Sequence, residues 1–175
     1  TGINPGLMMD LLVVTLTGAM QRVDHVTARR VNSLSPFGHA VMEEQGVGLT
    51  KEDFIHKTET GELAGHVGFA ESINMIADAI GWEVENPIKQ QQAPIVSDVF
   101  RKTKYVEVAA GNIAGCSMEG FGTVNWEVKI EMYHPQQVEP QLGGTATGDY
   151  IILKGSPEIS IAITPEVDGG IGTIA

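Results

Sequence analysis

The second half of the chain alternates short runs of β-branched and aromatic residues with glycine-centred turns, and this pattern restricts the fold more than any other feature. Runs of this kind, bounded by turn residues, are typical of strands in one sheet. Turns are expected at Gly111-Asn112, at Gly122 and at Gly155-Ser156-Pro157. The predicted strands are 84–95, 105–110, 113–121, 123–133, 149–153 and 159–163.

The first half is mainly helical, with one predicted strand at 25–32. Thr50 begins a helix that ends near Gly61, and a helix over 70–80 carries an apolar stripe and ends at Gly81. A further short helix is expected at 39–44. One strand, then helices, then a run of strands predicts an α+β fold with a mixed or antiparallel β-sheet covered by helices on one face.

The N-terminal segment is unusually apolar. Asn4 can cap a helix whose first helical position suits Pro5, and Asp10 is the only charge between Leu7 and Met20. Apolar residues lie almost all round this predicted helix, so we expect it to be buried on several sides. A buried helix at this position leads us to expect that another domain precedes it.

Charge excludes several classes of protein. The chain has 11 Lys and Arg against 22 Asp and Glu, a formal net charge of -11, which disfavours nucleic acid as a partner. The apolar stretch 7–16 is too short to span a bilayer, and Cys116 alone forms no internal disulfide, so we expect a cytoplasmic protein that is not bound to a membrane. With 19% charged residues and 21 Gly, the surface fits equally a turn-rich sheet protein and one covered by another domain or subunit.

Neither a metal site nor a dinucleotide site is predicted in this chain. The five histidines have no metal-ligand spacing. Residues 170–175 match G-x-G-x-x-A after a strand, but the helix, the second strand and the acidic residue of a βαβ unit do not follow. We interpret this segment as the start of a helix.

Three positions qualify as candidate ligand contacts, each with a simpler alternative. His66 lies between two glycines just before a helix that carries Glu71, a place where an anion could bind or where a capping turn could form. His39 lies on an irregular loop, as a binding residue or a solvated one. Thr145 belongs to the segment 143–148, which is either a polar substrate contact or a hairpin loop.

Several motifs together resemble the C-terminal domain of the 2,4-diaminopentanoate dehydrogenase family of native amine dehydrogenases, related in fold to dihydrodipicolinate reductase. The resemblance runs from the first residue to the last. The motifs are 2–10 (GINPGLMMD), 21–24 (QRVD), 65–68 (GHVG) with 71–72 (ES), 77–83 (ADAIGWE) and 168–173 (DGGIGT).

This resemblance implies a single substrate-binding and oligomerisation domain over 1–175, without its N-terminal Rossmann domain and with a truncated C-terminal end. The missing domain would bind NAD or NADP and supply the catalytic residues, so none is assigned here. The implied partners are that domain, a small cationic amine or amino acid and further copies in a homo-oligomer. The reaction implied is reversible oxidative deamination.

By the same resemblance, Asn4, Pro5 and Gly6 form the cofactor-side loop next to the nicotinamide, and the first helix forms a wall of the substrate pocket. The substrate-binding candidates are Met8, Leu11, His39, His66, Glu71 and Thr145. An acidic domain suits a cationic substrate.

Two alternatives remain open. The chain could be a non-catalytic ligand-binding or dimerisation module of the same fold. It could also be a dihydrodipicolinate-reductase-like enzyme, although the histidine-rich substrate motif and following lysine of that family are absent.

Overall fold

A computed structural model describes residues 2–63 and 67–174. Within these ranges six strands form one mixed sheet in the order β2-β5-β6-β1-β7-β8. The central β1 pairs in parallel with β6, and the other neighbours are antiparallel. The strands are β1 (Arg22–Ser33), β2 (Lys89–Val96), β3 (Arg101–Lys102), β4 (Glu107–Val108), β5 (Ile113–Val124), β6 (Glu127–Gln137), β7 (Gly148–Ser156) and β8 (Ile159–Ile163), with β3 and β4 forming a separate small hairpin.

The helices are α1 (Leu12–Thr17) after a π-helical turn (Leu7–Leu11), α2 (His39–Glu44), α3 (Lys51–Glu59), α4 (Phe69–Ile80) and α5 (Gly169–Ile174), and a 3₁₀ turn spans Pro140–Gly143. Thr50 caps α3 as predicted, because its hydroxyl oxygen accepts a hydrogen bond from the Asp53 N–H at 3.1 Å. Gly81 ends α4 with φ 75°, a left-handed conformation that suits glycine. None of the described helices has the length and apolar character needed to cross a membrane.

Helix α4 packs on strands β5 and β6 and buries Phe69, Ile73, Ile76 and Ala77. The close approach depends on glycine in β5, since a Cβ added at Gly122 would lie 2.8 Å from Cγ2 of Ile73. Inward side chains from the central strands complete this core, namely Val26, Ala28, Ile130, Met132, Ile151 and Leu153.

The opposite face of the sheet carries no helix from the described ranges. It forms a shallow depression of about 480 Å³ lined by Thr27, Arg29, Ser117, Glu119, Tyr133, Pro135, Tyr150 and Ile152. We call these eight residues the open face. The α+β prediction, with a mixed sheet covered by helices on one face, is therefore confirmed.

The N-terminal segment departs from the prediction at the start of its helix. Its helix begins as a π-helical turn at Leu7, and Gly6 occupies the N-cap position without a side-chain hydrogen bond. The helical segment exposes one stripe, formed by Leu7, Leu11 and Thr15. Its other sides are buried or partly buried, with Met8, Met9, Asp10 and Val13 at most 7% exposed. The prediction of a helix buried on several sides is therefore confirmed, whereas the capping role of Asn4 was wrong.

Strand bounds in the second half also differ. Gly122 is not a turn but a residue of β5 placed under α4, and the hairpin turns instead at Asn125 and Trp126, which have φ 51° and 67°. The strand predicted at 105–110 shrinks to the two residues of β4, and the one predicted at 84–95 begins only at Lys89. Residues 169–174 form a short helix, as interpreted from the sequence.

Candidate functional site

A polar cleft of about 280 Å³ opens on the helix-bearing side of the sheet. It lies where the N-terminal loop, the ends of β1 and β6, α2 and α5 meet. Its lining residues are Ile3, Asn4, Arg30, Asn32, Leu34, Phe37, Val41, Glu44, Gln45, His134, Gln136, Gly169 and Thr173. We call this the polar cleft.

The parallel pairing of β1 with β6 brings Asn32 and His134 together across 102 residues of sequence. His134 is 3% exposed; its Nδ1 lies 2.9 Å from Nδ2 of Asn4, and its Nε2 lies 2.6 Å from Oδ1 of Asn32. The Asn4 amide nitrogen can donate to Nδ1 of His134, and the Asn32 amide oxygen can accept from Nε2. His134 therefore orients the Asn4 side chain.

A second set of amides, from Gln45 and Gln136, also lines the polar cleft. The amide nitrogen of Gln136 donates to Oε1 of Gln45 at 2.8 Å, and the Cys116 thiol donates to the same oxygen at 2.9 Å. Burial raises the pKa of Cys116 to about 11, although hydrogen bonds from Gln92 and Gln136 oppose the shift. At neutral pH this cysteine is a packed thiol rather than a nucleophile, in agreement with the sequence interpretation.

Arg30 is committed to a buried ion pair. Its Nη1 lies 2.6 Å from Oδ1 of Asp149, and both side chains are at most 3% exposed. Nη2 of Arg30 donates to the Val167 carbonyl at 2.5 Å, and the Val167 N–H donates to Asp149 at 2.8 Å. The pair fixes the segment before α5 against the sheet, and its positive charge is neutralised within the fold.

The Asn4-Pro5-Gly6 loop places Asn4 in the polar cleft. Gly6 has φ 146°, and a Cβ added there would lie 2.2 Å from the Gly2 carbonyl oxygen. Pro5 packs against Gly68, where an added Cβ would lie 2.3 Å from Cγ of the proline. The loop is held by close contacts on both sides, so the position of Asn4 is defined by the backbone as well as by His134.

Among the predicted site residues, Asn4 lines the polar cleft, with Pro5 and Gly6 shaping its loop. Met8 is buried in the core, 3% exposed, and Leu11 lies on the outer side of the first helix. Their contact with a substrate stays a prediction.

Three of the remaining candidates lie elsewhere. His39 is exposed and lies 3.4 Å from Glu43, Glu71 is exposed on α4, and Thr145 accepts a hydrogen bond from Gln137 at 3.3 Å. The structure does not bring these three side chains into the polar cleft, and their roles stay predictions. His66 falls outside the described residues, and its role also stays a prediction.

Sequence reasoning missed the strand residues of the polar cleft. In β1 the inward positions change from Val26 and Ala28 to Arg30 and Asn32, and in β6 they change from apolar residues to His134 and Gln136. Inward-facing polar residues that continue an apolar alternation were the available signal. They show where the core ends and the polar cleft begins.

No group of three or more His, Cys, Asp or Glu within the described ranges could hold a metal ion. The glycine-rich segment 169–174 also lacks the form of a phosphate loop. Asp168 accepts a hydrogen bond from the Ile171 N–H at 2.7 Å, so a carboxylate already occupies the place where a phosphate would bind.

The sequence of this chain is similar to that of a known protein family. Residues 7–175 match the family model described as the 2,4-diaminopentanoate dehydrogenase C-terminal domain. A 2,4-diaminopentanoate dehydrogenase from Acetoanaerobium sticklandii is 61% identical over 175 residues, which cover 100% of this chain and 50% of that protein.

A solved amine dehydrogenase from Mycobacterium smegmatis shares the fold. It superposes with a TM-score of 0.79 at 16% identity, over 95% of this chain and 48% of that one. The chain therefore spans about half the length of both proteins.

Proposed function

Because this chain belongs to the family of 2,4-diaminopentanoate dehydrogenase C-terminal domains, we propose that it forms the substrate-binding and oligomerisation half of an NAD(P)-dependent dehydrogenase. The proposed reaction is the reversible oxidative deamination of 2,4-diaminopentanoate or a related amine. The observation that carries the proposal is 61% identity along the whole chain to an enzyme of that name.

The dinucleotide would be bound mainly by an N-terminal Rossmann domain. In this chain, the loop that carries Asn4 fits beside the nicotinamide. Nδ2 of Asn4 lies 2.9 Å from Nδ1 of His134, and this contact holds the amide in the polar cleft. The helix capped by Asp168 gives the diphosphate no site here. NAD and NADP both remain compatible with this arrangement.

When bound, NAD(P)+ accepts a hydride from the carbon that bears the reacting amine. Water supplies the carbonyl oxygen of the product, so one ketone, one ammonium ion, one NAD(P)H and one proton form overall. The residues of this chain bind and orient the substrate in this reaction. His134 uses both ring nitrogens to hold Asn4 and Asn32, so we assign the general base to the other domain.

The charges of the polar cleft favour an amine over a dicarboxylate. Arg30 is the basic side chain among the lining residues that carries a fixed charge, and Asp149 neutralises it at 2.6 Å. A cyclic imine dicarboxylate would need a free cationic clamp. This observation supports the amine dehydrogenase over the reductase alternative.

We also propose that the open face joins copies of the protein in a homo-oligomer. It combines half-exposed aromatic and aliphatic side chains, such as Tyr133, Tyr150 and Ile152, with a few charges. An exposed sheet face of this composition is typical of a protein interface.

The protein is proposed to work in the cytoplasm.

The test uses the intact protein that contains this chain. We expect absorbance at 340 nm to rise when 2,4-diaminopentanoate is added with NAD+ or NADP+. No turnover with this or related amines would overturn the proposal and favour a non-catalytic module. Calorimetry gives a second test, because this chain alone should bind either dinucleotide weakly, and tight binding would contradict the assignment.

A further inference from the structure

We propose that Glu44 binds the non-reacting ammonium group of a diamine substrate and so selects diamines over monoamines; this rests on the proposed function. Glu44 is the last residue of α2 and is exposed. It lines the polar cleft together with Asn4 and His134. It also borders the neighbouring groove that contains His39 and Glu43, which places it at the mouth.

The net charge of the polar cleft depends on Glu44. Arg30, Glu44 and His134 are the titratable residues of its lining. Arg30 is neutralised by Asp149, and both ring nitrogens of His134 are hydrogen-bonded to Asn4 and Asn32. Of these three described residues, Glu44 carries the charge that no side chain in the fold balances.

Nearby basic side chains pair with other carboxylates. His39 lies 3.4 Å from Glu43, and Lys57 lies 2.9 Å from Glu62. Within the described ranges, no side chain forms an ion pair or hydrogen bond with the Glu44 carboxylate. Its charge is available to a ligand in the polar cleft.

The chemistry of a diamine makes use of such a charge. One amine loses its nitrogen during the reaction, whereas the other remains an ammonium ion in substrate, transition state and product. A carboxylate that binds this second group strengthens substrate binding equally in the ground and transition states, so its removal should raise KM and leave kcat nearly unchanged. A monoamine that carries only the reacting amine gains nothing from it.

The experiment compares Glu44→Gln with Glu43→Gln in the intact protein. Glutamine keeps the shape and removes the charge, and Glu43 is an adjacent exposed carboxylate outside the polar cleft lining. Substrates are 2,4-diaminopentanoate and the monoamines 2-aminopentanoate and 4-aminopentanoate. Each monoamine is assayed as a substrate or, where it is not turned over, as an inhibitor of diamine oxidation.

For Glu44→Gln we expect KM for the diamine to rise about tenfold to a hundredfold, the range of a lost charged hydrogen bond, with kcat within about twofold. The constant of the monoamine that carries only the reacting amine should stay unchanged, whereas the monoamine that carries only the other amine should bind less tightly, as the diamine does. Glu43→Gln should change none of these constants. An unaltered diamine KM, or an equal loss for the diamine and both monoamines, would overturn the role of Glu44. Absence of wild-type turnover would instead overturn the proposed function, and this inference with it.

Discussion

At the scale of single residues, the polar cleft depends on groups whose hydrogen-bonding capacity is already used inside the fold. His134 is held between Asn4 and Asn32, and Arg30 between Asp149 and the Val167 carbonyl. Residues bound this way position others and leave contact with the ligand to groups such as Glu44. Substitution of these residues is therefore expected to lower the free energy of unfolding strongly.

The Arg30 to Asp149 pair gives a direct stability prediction. Asp149→Asn leaves the Arg30 guanidinium buried without a counter-charge, which should lower the free energy of unfolding by about 3–5 kcal/mol. Urea denaturation of this chain measures it. The double variant Arg30→Met with Asp149→Leu should cost less than Asp149→Asn alone. Asp24→Asn is the matched control, because Asp24 makes the same kind of pair with Arg22 in solvent at 2.8 Å and should change little.

Tyr133 on the open face gives a prediction for alkaline pH. Burial raises the pKa of Tyr133 to about 12, and its hydrogen bond to Glu131 adds to the shift. The unfolded pKa is about 10, so the stabilising effect is complete below pH 10 and is lost as the pH rises toward 12. The stability difference between wild type and Tyr133→Phe should therefore shrink over that interval in thermal unfolding. A difference that does not vary with pH would contradict the assignment.

Sequence reasoning found Asn4 but not its partners, and the reason is spatial. Asn4 belongs to a local motif, whereas His134 lies 130 residues away and meets it only because β6 pairs with β1. The pairing of distant strands is not readable from local periodicity. Arg30 and Asp149 were missed for the same reason.

At the scale of elements, the close packing of α4 on β5 requires a glycine. The local pattern predicted Gly122 as a turn because glycine often marks one, but the residue is required there for close packing. Helix and strand identities were predictable because caps and apolar periodicity are local. The hairpin turn was not, since Trp126 at φ 67° is an unusual turn residue.

Gly122→Ala tests this packing. The added Cβ would lie 2.8 Å from Cγ2 of Ile73 and 3.2 Å from Cβ of Ile130, both buried. We expect the free energy of unfolding to fall by about 1–3 kcal/mol in urea denaturation. Gly38→Ala is the control, because a Cβ added at Gly38 meets no atom within 4 Å and its φ of -77° suits alanine, so stability should change little. Equal effects of the two variants would argue that the packing of α4 on β5 does not require glycine at position 122.

At the scale of the whole molecule, one face of the sheet carries the polar cleft and the other the open face. The low charge and high glycine content fitted either a turn-rich protein or a covered one. Glycines occur both in turns with positive φ and at close contacts such as Gly122, so composition does not decide between them. The exposed aromatic and aliphatic side chains of the open face favour a surface that another domain or subunit covers.

The oligomer prediction tests that surface. Ile152→Asp places a charge at a side chain that is 37% exposed on the open face and should convert the intact protein from an oligomer to smaller species in light scattering. Met75→Asp is the control, because Met75 is 41% exposed on α4 on the other side of the sheet. A monomeric wild type, or an unchanged mass for Ile152→Asp, would refute this interface.

We propose that this chain belongs to an enzyme that removes an amine from its substrate by hydride transfer. Ammonium and NAD(P)H should be measured together in the intact protein supplied with 2,4-diaminopentanoate. The account predicts one ammonium ion for each NAD(P)H formed, and neither product without the amine. NAD(P)H formation without ammonium, or no formation of either product, would contradict it.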